Sequence, residues 1–185
     1  LKLIQDTKIQ QMLTIISATG RREGNSLKIA THYFREIKSR GMDCKLLSLA
    51  DYPYKNWENT LSEIQQEYLV PADGFLFVMP EYNGSYPGLL KLLVDESNVS
   101  ACWHHKKAML VGVSTGRAGN LRGMEHFTGS LMHMKMIVHP NRLPISAVDK
   151  LLNEQGELTD RQTIVTVSQQ LDQLESFFSK EKLNT

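Results

Sequence analysis

Apolar positions in this chain form short continuous runs, separated by stretches where they recur every three or four residues. Residues 12–17 (MLTIIS) are an apolar, β-branched run ended by Thr19 and Gly20, the pattern of a strand buried on both faces. Leu27, Ala30, Phe34 and Ile37 then mark one helical face, with Asn25 or Ser26 to cap its start and Gly41 to close its end. Residues 44–49 and 73–79 are the second and third strands, with a poorly patterned acidic and aromatic stretch between them. Residues 87–96 are predicted as a helix with Pro87 in first place, where a missing N–H costs nothing. Lys107–Val113 is the fourth strand, residues 120–134 carry Leu121, Met124, Thr128 and Leu131 on one helical face, and residues 136–139 begin a fifth strand. In the last helix Thr159 and Gln162 form a capping box, and Ile164, Val167, Leu171, Leu174 and Phe178 repeat at three and four.

Strand and helix therefore alternate, which predicts an α/β fold with a parallel sheet covered by helices on both faces. Five strands point to a flavodoxin-like three-layer sandwich with a five-stranded parallel sheet in order 2-1-3-4-5. A length of 185 residues suits one domain, expected over residues 12–180, with residues 1–11 as a polar, aperiodic extension. The net charge of +1 comes from dispersed residues, which excludes the basic stripe that nucleic acid or an anionic membrane would favour. No apolar run approaches the roughly 20 residues of a membrane span, and the first residues lack a leader's apolar centre, so a cytoplasmic protein is expected. Cys44 and Cys102 lie far apart without ligand spacing, so they are read as buried thiols and no metal is expected.

In such a sheet ligands bind beyond the carboxyl ends of the strands, where the chain order reverses. Residues 17–26 place Ser17, Thr19, Arg21, Arg22, Asn25 and Ser26 among glycines before a helix start, and these are phosphate-binding parts. A plain turn with an N-cap is the competing explanation. The loop lacks both a P-loop ending and a GxGxxG spacing, so a monophosphate is the expected guest. The second loop offers Pro80, Glu81, Tyr82, Asn83 and Ser85. A tight turn accounts for Asn83, Gly84, Pro87 and Gly88, whereas Glu81, Tyr82 and Tyr86 together suit a flat heteroaromatic ligand. The third loop offers Ser114, Thr115, Gly116 and Arg117, whose N–H and guanidinium groups suit negative charge on a polar ring edge. The histidines, His104, His105 and His126 included, are read as structural, because no carboxylate partner stands at ligand spacing.

Pro80-Glu81-Tyr82-Asn83, followed by Ser85 and Pro87-Gly88, resembles the PEYN-x-S-x-PG signature of the NADPH-dependent FMN reductases, a flavodoxin-like group that includes quinone and azo-dye reductases. Gly116-Arg117-Ala118-Gly119 resembles the group's GRxG loop, and Thr19, Arg22 and Ser26 are the nearest equivalents of its phosphate loop, with Arg21 an alternative to Arg22. After Leu90 the group often has Lys-Asn, where this chain has Lys91-Leu92. The resemblance implies FMN as cofactor, NADPH or NADH as reductant, a small-molecule electron acceptor, and a homodimer or homotetramer. It also implies hydride transfer from nicotinamide to flavin with no catalytic side chain. A non-enzymatic electron carrier or flavin-binding regulator is the alternative, and the near-balanced charge, without an acidic docking face, favours the enzyme.

Overall fold

A computed structural model describes residues 11–52 and 57–178; residues 1–10 of the expected extension and residues 179–180 of the expected domain lie outside them. The elements are β1 (Leu13–Ser17), α1 (Asn25–Ser39), β2 (Cys44–Ser48), α2 (Trp57–Ile64), β3 (Gly74–Pro80), α3 (Gly88–Glu96), α4 (Val99–Cys102), β4 (Lys107–Val113), α5 (Leu121–His133), β5 (Ile137–Val138), β6 (Leu143–Ile145) and α6 (Arg161–Phe178). All strand pairs are parallel, and the order β2-β1-β3-β4-β5 is the predicted flavodoxin-like one. One strand was not foreseen. β6 pairs with β4 at Val111–Val113, beyond the part of β4 that β5 covers. The fifth position of the sheet is thus split, and Pro140 and Pro144, which donate no N–H, confine this segment to the sheet edge.

Period-two alternation sends successive side chains of each strand to opposite layers. Phe75, Phe77 and Met79 pack with Leu90, Leu93, Trp103, Phe127 and Leu131 under α3, α4 and α5. Leu76 and Val78 pack with Ile29, Tyr33, Val167, Leu171 and Leu174 under α1 and α6. Each fully buried side chain of this size stabilises the fold by about 1.5–3 kcal/mol relative to exposure. Tyr33 makes this layer specific: its hydroxyl donates to Gln170 Oε1 at 2.6 Å, and burial raises its pKa. Cys44 and Cys102 are buried and free, and burial pushes the Cys44 thiol up to about 11.

Several local expectations are corrected. The buried face of α1 is Ile29, Ala30, Tyr33 and Ile37 rather than the row through Leu27 and Phe34, which lie at its half-buried margin. In α5, Leu121 is 54% exposed, and the buried face is Gly123, Met124, Phe127 and Leu131, so Phe127 takes a core position that the expected row through Leu121 and Thr128 left out. Pro87 is the N-cap of α3 rather than its first residue. The cap of α6 is Asp160, not Thr159: Asp160 Oδ2 accepts from both the backbone and the hydroxyl of Thr163, and these bonds hold its carboxyl below the ordinary range. No helix among the described residues is long and apolar enough to cross a membrane.

Candidate functional site

Parallel strands deliver their C-terminal loops to one edge, and β1, β3 and β4 are the central three strands. Their loops meet around a pocket of about 120 Å³. Thr19, Arg21, Gly24, Asn25 and Ser26 line it from the first loop and the start of α1; Pro80, Glu81 and Tyr82 from the second; Val113, Ser114 and Thr115 from the third. Val148, following β6, completes it.

The first loop turns on Thr19, whose hydroxyl oxygen accepts from Arg21 N at 3.1 Å and lies 2.9 Å from the Tyr82 hydroxyl. Arg21 lays its guanidinium over the Tyr82 ring, 4.9 Å from the centroid. Gly24, not Asn25 or Ser26, is the N-cap of α1, so no side chain caps this 15-residue helix. The reason is steric: a Cβ on Gly24 would stand 2.9 Å from Arg21 O and 3.0 Å from Thr19 Oγ1. Asn25 and Ser26 therefore fall in the first turn, which carries no acidic residue. An uncapped helix start with its dipole unopposed attracts an anion.

The second loop is a two-residue hairpin. Tyr82 and Ser85 exchange N–H···O bonds of 2.9 and 3.1 Å around Asn83 and Gly84, at φ 52° and 75°. Both central residues at positive φ is the type I′ geometry that Asn-Gly favours. The third loop folds on Ser114, whose hydroxyl donates to Gly116 O and accepts from Gly119 N, both at 3.0 Å.

A match to the NADPH-dependent FMN reductase family runs over residues 12–149, which takes in all three loops. The chain belongs to that family. It is similar to an NAD(P)H-dependent FMN reductase of Pseudomonas aeruginosa, 33% identical over 115 residues, 60% of this chain and 61% of that protein. The match thus spans less than two thirds of that relative's length. It is also 30% identical over 134 residues to a 2-hydroxy-1,4-benzoquinone reductase of a Burkholderia species, covering 68% of this chain and 73% of that protein. Among solved structures, the fold is shared with the flavoenzyme NAD(P)H:(acceptor) oxidoreductase of Paracoccus denitrificans, at a TM-score of 0.71, 20% identity, and coverage of 89% of this chain and 94% of that one.

Against the FMN reductase pattern, Arg21 lines the pocket, whereas Arg22 is exposed and outside the lining. Ser17 ends β1 with its hydroxyl buried and without a hydrogen-bond partner among the described residues. Asn83, Gly116 and Arg117 are exposed and Ser85 half-buried, and all four lie outside the lining. Tyr86 does not join Tyr82: its ring packs on Phe127, with centroids 5.1 Å apart. Of two further contributors, His126 was read from the sequence only as structural and Asn120 was missed. His126 Nδ1 lies 2.9 Å from Ser85 Oγ and braces the hairpin from α5. Asn120 ties the third loop to the second. Its one sequence signal is its place after Gly119, since Asn tolerates left-handed backbone before a helix.

Proposed function

We propose that this protein is an NAD(P)H-dependent flavin oxidoreductase that holds FMN where its three strand-end loops meet and passes reducing equivalents to a small-molecule acceptor of the quinone type. One observation carries the reading: an uncapped helix start, an arginine and hydroxyl groups converge on the same pocket as Pro80, Glu81 and Tyr82 at the head of the second loop. That donor set fits a phosphate monoester. The pocket is smaller than the roughly 300–1,000 Å³ of usual ligand sites, so it receives one end of a larger ligand.

FMN bound there would supply the redox chemistry, as the two-electron relay between the nicotinamide and the acceptor. Thr19, Arg21, Asn25 and Ser26 hold the phosphate end, residues 80–85 offer backbone groups to the ring edge, and Tyr82 shapes access for the incoming ring. Arg117 and the N–H groups of its loop favour negative charge on the ring. No side chain acts as nucleophile or general base; the protein's task is orientation. The names of the relatives, FMN reductase and benzoquinone reductase, support the acceptor class.

The reading includes a homodimer or homotetramer, supported by Leu121 and Met132 on α5, which are 54% and 64% exposed. The cytoplasm is the proposed compartment, which the free thiols suit. Steady-state oxidation of NADPH and NADH by FMN-loaded protein, with a benzoquinone as acceptor, tests the activity. Sustained turnover is expected. A single reduction of the flavin with no acceptor-driven turnover would identify a carrier instead.

A further inference from the structure

Asn120 is fully buried, at φ 60° and ψ 31°, immediately before α5. Its side-chain Nδ2 donates to Met79 O at 3.1 Å and Pro80 O at 3.0 Å, and its backbone N–H donates to Glu81 Oε2 at 3.2 Å. Two carbonyls around one terminal atom fix the amide's orientation, because an oxygen there would face two oxygens. Asn120 O accepts from Met124 N in the first turn of α5. One residue therefore binds three successive residues at the end of β3 while starting the helix that follows β4. The space is fitted to it: a Cβ on Gly123 would stand 2.0 Å from Asn120 Oδ1. That oxygen has no hydrogen-bond partner among the described residues, a desolvation cost that the amide's other bonds must offset.

Ala18 N donates to Val78 O, and beyond it, among the described residues, the first loop meets the second through side chains, the Thr19 and Tyr82 hydroxyls and the Arg21 guanidinium over the Tyr82 ring. From there to the hairpin, Glu81 N→Val113 O and the three Asn120 bonds hold the second loop to the third. We propose that Asn120 is a positioning residue for hydride transfer: it sets the hairpin of residues 82–85 against the third loop, and so presets the backbone groups that meet the flavin's redox edge. This rests on the flavin reading above.

Asn120→Gly tests it, because glycine keeps the left-handed backbone and the N–H to Glu81 while removing the amide. In the protein without flavin, hydrogen exchange at Tyr82 and Ser85 is expected to quicken about tenfold, with α1 unchanged. In the FMN-loaded protein, affinity for FMN is expected to stay within about threefold, since the first loop is untouched, while the rate of flavin reduction by NADPH falls about 10- to 100-fold. Asn120→Asp, similar in shape but without the donor, is expected to show the same split. Unchanged exchange at Tyr82 and Ser85, or a wild-type reduction rate in Asn120→Gly, would overturn the inference. A wild-type protein that binds no FMN would instead overturn the reading beneath it.

Discussion

The loops after β1 and β3 face each other across one pocket and are built on opposite principles. The first presents side chains and an open helix end: Gly20, Arg21, Arg22 and Glu23 are exposed, and no side chain caps α1. The second is closed by a paired hairpin, by Glu81 N on Val113 O, by Asn120 from behind and by His126 at its far side. A charged, rotating phosphate is well served by exposed donors that add affinity through charge. A ring that must meet a second ring at a set distance is better served by backbone that cannot move. The contrast implies that affinity and rate are separable, with affinity residing in the first loop and rate in the second.

The largest effect is expected where the second loop is broken. Asn83→Pro forces φ from 52° to about −65°, which the hairpin cannot accommodate. Tyr82→Ala removes the ring while leaving the turn. Both should retain FMN through its phosphate yet lose about 100-fold or more in the stopped-flow rate of flavin reduction, Asn83→Pro losing more. Rates that fall only in proportion to melting temperature would make the loop merely structural.

A smaller effect, of the opposite kind, is expected in the first loop. Arg21→Ala should weaken FMN by about 10- to 100-fold, as for a charge-assisted hydrogen bond of about 1.5–3 kcal/mol, and leave the reduction rate at saturating FMN unchanged. Arg22→Ala, altering a residue outside the pocket lining, should change neither quantity. Equal losses in the two variants, read by fluorescence titration, would erase the distinction between these neighbours.

Much of this was legible in the sequence where the determining forces are local or periodic. β4 begins and ends where its apolar run does, and strand order follows from alternation because parallel crossovers have one favoured hand. The meeting of the three loops follows from the same topology. What escaped depends on contacts between distant segments or on small competitions. β6 is three residues long and contains a proline. Asp160 displaced Thr159 as cap by one position, and in α5 Phe127 is buried where Leu121 is not. The choice of Arg21 over Arg22 at the pocket wall depends on the turn at Thr19, and Asn120 reaches carbonyls about forty residues away in sequence, which no spacing rule reveals.

The central claim, that the first loop recognises a terminal phosphate, is tested most directly by titrating the flavin-free protein with FMN and with riboflavin under the same conditions. The account predicts that FMN binds at least about tenfold more tightly, because riboflavin lacks the group that Arg21 and the α1 start engage. Riboflavin binding as tightly as FMN, or more tightly, would contradict it.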